Sequence, residues 1–183
     1  PSSTVTGPTR AARASARASR RSVSEKDDSS TARSHALAHQ LRARVAVRVN
    51  PDFELKGSGM RMGGGPKQFG VDAEQVPGLL AAIATAGLAF EGFHLFAGSQ
   101  NLKAESICEA QRKSYELALR LAADAPMPVK FLNLGGGFGI PYFPGETPLD
   151  LAPIGDNLHQ LVRQAARDLP EASLVVELGR YIV

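Results

Sequence analysis

The spacing of short β-branched runs constrains this chain most. Such runs begin near residues 45, 90, 129 and 173, so about 40 residues separate one from the next. A helical apolar pattern lies in each of the three gaps, and strands that alternate with helices at this spacing predict a parallel α/β sheet. About four βα units fit either a doubly wound sheet or part of a β/α barrel. The predicted strands are 45–50, 90–96, 129–134 and 174–177, and the predicted helices are 72–86, 103–124 and 151–168.

The first of these helices has a recognisable start. Asp72 followed by Gln75 predicts a capping box, and an apolar stripe comes after it. That stripe comprises Leu79, Leu80, Ile83 and Ala84. We therefore expect these four side chains to be buried against the sheet.

Residues 1–40 differ in character from 41–183. They are rich in Ser, Ala, Arg and Thr and contain no aromatic residue, so they cannot bury enough apolar surface to fold alone. Residues 1–44 carry a net charge of +6, whereas residues 45–183 carry −3. The basic pI therefore says nothing about what the folded part binds, and we expect no nucleic-acid partner. The segment is interpreted as a disordered tail or non-native sequence; a transit peptide fits less well, because its acidic residues are atypical.

Several functional classes are excluded by composition. No run of about 18 apolar residues exists, and no signal peptide is recognisable, so we expect no membrane association and a cytoplasmic location. Cys108 is the only cysteine, which excludes an internal disulfide and a cysteine metal cluster. It lies in a helical pattern, where we expect it to pack, and no metal site is predicted.

Polar and glycine residues collect at the carboxyl ends of the predicted strands, where α/β proteins bind ligands. The candidates are Arg48 and Asn50; His94, Phe96 and Ser99; Asn133 and Gly135–Gly137; and Glu177, Gly179 and Arg180. His94 and Phe96 are two apart on one strand and therefore point to the same face. A hydrogen-bonded core histidine remains the alternative for His94. Ser99 fits either a phosphate ligand or a cap for the next helix.

The run from Gly135 to Gly139 suits a phosphate, because glycines let backbone amides approach a ligand closely. It matches neither a dinucleotide fingerprint nor a P-loop, so a tight turn or flexible loop stays open as the alternative. Glu177 ends an apolar strand, where an ionised carboxylate is costly without a partner. It is therefore either a ligand-binding acid or half of an ion pair with Arg180 or Arg48.

Five ordered motifs within residues 45–183 resemble one family. They are Val47-Arg48-Val49-Asn50-Pro51, Lys67-Gln68-Phe69-Gly70, Gly92 to Gln100, Asn133 to Gly139, and Glu177-Leu178-Gly179-Arg180-Tyr181. Each is weak alone, but the ordered series resembles the alanine-racemase-like barrel decarboxylases that use pyridoxal 5'-phosphate (PLP). These enzymes act on ornithine, diaminopimelate, arginine and related amino acids. The variants Phe96 to Gln100 and Gly139 to Tyr142 look most like the exosortase-associated branch.

The resemblance implies a partial parallel TIM-type barrel and a role for each matching residue. Gly135, Gly136 and Gly137, with Ser99 and Arg180, would hold the cofactor phosphate, and Gly179 belongs to the same cofactor-binding set. Glu177 would face the pyridine nitrogen and keep it protonated. Arg48 would lie near the cofactor and support Glu177, and His94 would join these two as a catalytic residue. Racemases of this fold are implied to carry arginine in place of the acid, so Glu177 favours decarboxylation.

Two positions depart from the family pattern. Phe96 occupies the place of a histidine that stacks on the cofactor ring; it can stack but cannot make the same polar contacts. Leu178 replaces the usual proline after the acid, which should loosen that turn.

The resemblance also implies parts that are not found here. Residues 1–44 contain no match to the strand-end lysine that carries the cofactor, and the sequence stops before the last barrel strands and the β domain. We therefore expect this chain to be an incomplete fragment, inactive alone, whose full-length parent is a homodimeric decarboxylase of small amino-acid substrates, either free or carrier-bound. The alternatives are a racemase, a non-catalytic PLP-binding barrel and a basic-tailed nucleic-acid-binding protein.

Overall fold

The computed structural model describes residues 42–53 and 69–182, together with Ser34 and two short strands at 21–23 and 60–61. The strands are β1 (Arg21–Val23), β2 (Arg44–Asn50), β3 (Met60–Arg61), β4 (Val71–Asp72), β5 (Ala89–Leu95), β6 (Gly98–Ser99), β7 (Phe131–Asn133) and β8 (Ser173–Val175). The α-helices are α1 (Val76–Thr85), α2 (Ala104–Ala122), α3 (Ala152–Asp168) and α4 (Gly179–Ile182), and a 3-10 turn, Ala73–Gln75, precedes α1.

The main sheet is parallel. Its order is β1-β2-β5-β7-β8, with β4 also paired to β2, and each of these pairings runs in the same direction. Along the chain α1 lies between β2 and β5, α2 between β5 and β7, and α3 between β7 and β8, so the described part confirms the predicted α/β alternation. A separate antiparallel pair, β3 with β6, lies beyond the end of β5.

One face of the sheet forms the core with the helices. Val47, Phe93 and Leu132 are neighbours across three strands and are fully buried. They pack with apolar residues of α1, α2 and α3 in one cluster. Cys108 is buried in α2, as expected for a packing residue. The residues that alternate with these along each strand point to the opposite face of the sheet, which can therefore carry polar side chains.

The start of the first helix differs from the prediction. Asp72 makes no side-chain cap, so the capping box is wrong; its carboxylate instead accepts a hydrogen bond from Asn50 Nδ2 at 2.9 Å. The helical stripe is buried at Leu80 and Ile83, but Ala84 is exposed. Asp72 belongs to β4, which pairs with β2, so it lies in the sheet and not at the helix start that the local sequence predicts.

The amino-terminal segment contains one element that the sequence analysis did not anticipate. Arg21–Val23 pairs in parallel with Val45–Val47 at the edge of the sheet. The interpretation of 1–40 as disordered is therefore wrong for these three residues. The rest of that segment, apart from Ser34, lies outside the described residues, as do Lys67 and Gln68 of the second motif. The division at residue 40 stays a prediction.

Candidate cofactor-binding site

A row of polar side chains crosses the sheet near its carboxyl edge. Arg48 of β2 is in register with His94 of β5, and His94 with Asn133 of β7. The next residue in this row is Val175 of β8, and Glu177 lies two residues beyond it, on the same side. Four strands that are neighbours in the sheet thus bring the polar residues predicted from the strand ends to one edge.

Two of these residues lie close to the Glu177 carboxylate. Its Oε1 accepts a hydrogen bond from Asn133 Nδ2 at 2.8 Å and lies 3.3 Å from His94 Nε2. The side chain is 44% exposed and follows the end of β8, so the carboxylate is less buried than its apolar strand suggested. Among the described residues the basic side chain within 4 Å of it is His94, so the alternative of an ion pair with Arg48 or Arg180 is wrong.

Arg48 contacts aromatic rings instead. Its guanidinium carbon lies 5.7 Å from the ring centroid of Phe69 and 5.7 Å from that of Phe96. Stacking on two ring faces is a favourable setting for a guanidinium. The guanidinium thus lies against two rings, and its expected support of Glu177 stays a prediction.

His94 is not a hydrogen-bonded core histidine. Its side chain is only 17% exposed, yet Nε2 completes no hydrogen bond, since the approach to Glu177 at 3.3 Å has unfavourable geometry. Burial lowers the pKa of His94 below its usual value and the charge of Arg48 lowers it further, whereas Glu177 opposes both. The His94 imidazole is therefore a buried ring beside a carboxylate whose Nε2 has no hydrogen-bond partner among the described residues.

The glycine run forms a tight, ordered bend. Gly135 and Gly137 have φ of 75° and 93°, which non-glycine residues rarely adopt. Gly135 N donates to Asn133 Oδ1 at 2.8 Å, and Glu177 N donates to Gly135 O at 2.9 Å. A Cβ on Gly136 would lie 2.3 Å from the backbone oxygen of Glu177. The flexible-loop alternative is therefore wrong, and the bend packs against the backbone of Glu177.

These groups border a cavity of about 200 Å³. It is lined by Phe96, Ser99, Gln100, Gly136, Gly137, Phe138, Glu177, Leu178, Gly179 and Arg180. All the predicted cofactor-binding residues except Gly135 are in this lining. His94 and Arg48 do not line it, but each contacts a residue that does.

The cavity fits PLP by the chemistry of its lining. Gly136 and Gly137 present backbone amides with no Cβ, next to the hydroxyl of Ser99 and the guanidinium of Arg180, a donor set for a phosphate. Glu177 supplies the one carboxylate of the lining, and Phe96 supplies an aromatic face. A phosphate, an aromatic ring and a protonated ring nitrogen would each meet a suitable group.

Ser99 is placed by strand pairing and not by the following helix. It belongs to β6, pairs with Met60 of β3 and is 9% exposed. The residue before α2 is Lys103, which makes no side-chain cap, and its backbone amide donates to Asn101 Oδ1. The helix-cap alternative for Ser99 is therefore wrong.

Sequence reasoning missed the connecting residues. Asn133 was noted only as a strand end, yet it bonds both Glu177 and the glycine bend. Asn101 exchanges backbone hydrogen bonds with Gly137 and Gly139, which ties the bend to the loop after β6. The only feature of the local sequence that could have indicated these roles is that each asparagine lies beside a glycine-containing motif.

Two features are absent from the described part of the chain. No helix there is long and apolar enough to cross a bilayer. Likewise, no group of three or more His, Cys, Asp or Glu side chains in that part could hold a metal ion.

Comparison with known proteins gives a consistent result. Residues 14–183 match the family described as pyridoxal-dependent decarboxylase, pyridoxal binding domain. An L-glutamyl-[BtrI acyl-carrier protein] decarboxylase of Niallia circulans is 36% identical over 144 residues, 77% of this chain and 33% of the relative. A diaminopimelate decarboxylase of Thermoplasma acidophilum is 33% identical over 142 residues, 76% of this chain and 34% of the relative.

A solved structure agrees on the fold. Diaminopimelate decarboxylase of Helicobacter pylori, complexed with L-lysine, superposes with a TM-score of 0.67 at 24% identity, over 85% of this chain and 38% of that one. The fold is thus a partial parallel β/α barrel. The chain spans about a third of the length of the curated relatives it matches. It belongs to the pyridoxal binding domain family of the pyridoxal-dependent decarboxylases.

Proposed function

We propose that this chain forms the cofactor-binding part of a PLP-dependent amino-acid decarboxylase, a carboxy-lyase of the diaminopimelate and ornithine type. One observation carries the proposal. A carboxylate, Glu177, and a Cβ-free bend, Gly136–Gly137, line the same cavity of about 200 Å³ at the carboxyl edge of a parallel sheet. That combination suits a cofactor with an anionic phosphate at one end and a basic ring nitrogen at the other.

The phosphate would be held at the glycine bend. The amides of Gly136 and Gly137 can approach a ligand closely because neither residue carries a side chain. A side chain at either position would collide with neighbouring backbone, which explains why glycine occupies both. Ser99 and Arg180, which line the same cavity, add a hydroxyl and a positive charge. Several donors converging on one anion bind it with more strength and direction than one charge alone.

The ring nitrogen would face Glu177. Asn133 holds one oxygen of this carboxylate with a hydrogen bond, and the 44% exposure of the side chain leaves the remainder of the group accessible. An ionised acid here favours a protonated ring nitrogen, and the PLP ring then accepts the electron pair left when carbon dioxide departs. Phe96 would lie against the cofactor ring, and Arg48 would support Phe96 through the contact of its guanidinium with the phenyl ring.

The proposed substrate is a small amino acid, in the cytoplasm, with a homodimer as the active form of the longer protein. A carrier-bound amino acid is the second candidate, because one relative at 36% identity acts on an L-glutamyl-carrier protein. Offering the longer protein a free amino acid and the same amino acid on a carrier protein distinguishes the two by carbon dioxide release. A racemase would instead erase optical activity without releasing carbon dioxide, and a non-catalytic PLP-binding protein would do neither.

Cofactor binding by this chain tests the proposal directly. We expect PLP to bind, with an absorbance change in the near ultraviolet, and Glu177→Gln to weaken binding about tenfold, since one charge contact of about 1.4 kcal/mol is lost. Glu171→Gln, an exposed acid in the loop before β8, is the matched control and should bind PLP like the unmodified chain. Equal affinity of Glu177→Gln and Glu171→Gln, or no binding at all, refutes the proposal.

A further inference from the structure

Asn133 is the one side chain in the described residues that bonds both the acid and the glycine bend. Its Oδ1 accepts a hydrogen bond from Gly135 N at 2.8 Å, and its Nδ2 donates to Glu177 Oε1 at 2.8 Å. The residue is buried, with 7% of its surface exposed. The contact with Gly135 is buried, where a hydrogen bond costs more to lose, and the contact with Glu177 is partly buried.

The orientation of this amide is fixed by its partners. A backbone N–H can only donate, so the atom facing Gly135 must be the oxygen, and the nitrogen then faces Glu177. The donated N–H matches an ionised carboxylate, which only accepts. A one-atom change of the amide can therefore remove the donor to Glu177 and still keep the acceptor for Gly135.

Backbone contacts alone do not orient the acid. Glu177 N donates to Gly135 O and Leu134 N donates to Val175 O, which ties the two segments together. The Glu177 side chain nevertheless has several rotatable bonds and is 44% exposed, so it would sample other rotamers without a side-chain anchor. His94 completes no hydrogen bond to it, which leaves Asn133 as that anchor within the described residues.

We propose that Asn133 is a positioning residue: one side chain fixes the Glu177 carboxylate relative to the Gly135 amide and so sets both ends of the cofactor cavity. The role in cofactor affinity rests on the proposed function, whereas the geometric role does not.

Two substitutions separate the two contacts. Asn133→Leu removes both, and Asn133→Asp keeps the oxygen that accepts from Gly135 while it replaces the donor to Glu177 by a second acceptor. Asn157 supplies matched controls, because it is equally buried at 6% and bonds Gln111 and Arg112 between α2 and α3. Asn157→Leu and Asn157→Asp should leave the cavity unchanged.

Two measurements need no cofactor. In Asn133→Leu we expect amide hydrogen exchange at Gly135 to accelerate about tenfold or more, since its acceptor is lost. The titration midpoint of the His94 imidazole, followed by NMR, should fall, because the carboxylate that stabilises its charged form turns towards solvent. In Asn133→Asp the Gly135 exchange rate should stay within about threefold of the unmodified chain.

PLP affinity completes the test, with about tenfold weaker binding expected for Asn133→Asp. Unchanged Gly135 exchange and unchanged His94 titration in Asn133→Leu would overturn the proposal. So would Asn133→Asp binding PLP as tightly as the unmodified chain, or Asn157 variants producing the same effects. If the unmodified chain binds no PLP, the proposed function fails, and the two cofactor-free measurements still decide the role of Asn133.

Discussion

Gly136→Ala perturbs the packing between the glycine bend and the acid with one methyl group. The added Cβ would lie 2.3 Å from the backbone oxygen of Glu177 and 3.2 Å from its Cβ. The backbone at Gly136 is not in the left-handed region, so the substitution adds a collision without backbone strain. Any change in stability or in the geometry of the site should therefore come from this collision alone.

The expected loss of unfolding free energy follows from the distance by which the glycine bend and Glu177 must separate. Ordinary contact begins at 3.4 Å, so the bend and Glu177 must separate by about 1 Å. A movement of that size takes the 2.8 Å bond between Asn133 and Glu177 out of hydrogen-bonding range. Overpacking of a tight contact costs about 1–3 kcal/mol, and we expect Gly136→Ala to lose about 2 kcal/mol of unfolding free energy.

Urea unfolding measures this loss. With a slope of about 2 kcal/mol per molar urea, the midpoint should fall by about 1 M. Gly155→Ala is the matched control, because Gly155 is exposed in α3 and a Cβ there meets nothing within 4 Å. It should raise stability by about 0.4–1 kcal/mol through lower chain entropy. If Gly136→Ala is as stable as Gly155→Ala, the close approach of bend and acid is refuted.

Two further predictions concern His94. Because burial lowers its pKa in the folded chain, the unfolded chain binds a proton more readily, and stability should decline as pH falls from about 7 to 5. His94→Gln should flatten this decline in parallel urea titrations; equal slopes for the two proteins would contradict the burial argument. Arg48→Met should raise the NMR titration midpoint of His94, since the removed charge lowers that pKa, and a fall would show that Arg48 acts otherwise.

The parallel sheet was predictable because its central strands are apolar runs bounded by glycine, proline or polar residues. The predicted strand at 45–50 is observed as Arg44–Asn50, and that at 90–96 as Ala89–Leu95. Arg21–Val23 was not predictable, since it has one apolar residue and gains its order from pairing with the edge of β2. Such a strand is stabilised by its neighbour and not by its own composition.

The location of the site was predictable for a similar reason. The carboxyl ends of parallel strands share one edge, so residues far apart in sequence had to meet there. Their pairing was not predictable: Arg48 and Glu177 carry opposite charges at the same edge, yet two aromatic rings contact the guanidinium. Asn133 was missed because its partner Glu177 is 44 residues away.

A crystal structure of this chain with PLP would show whether the glycine bend and Glu177 bind opposite ends of the cofactor. We expect the cofactor phosphate within hydrogen-bonding distance of the Gly136 and Gly137 amides, and the ring nitrogen within about 3.2 Å of a Glu177 carboxylate oxygen. A cofactor bound elsewhere, or one bound in this cavity with its phosphate turned towards Glu177, would contradict it.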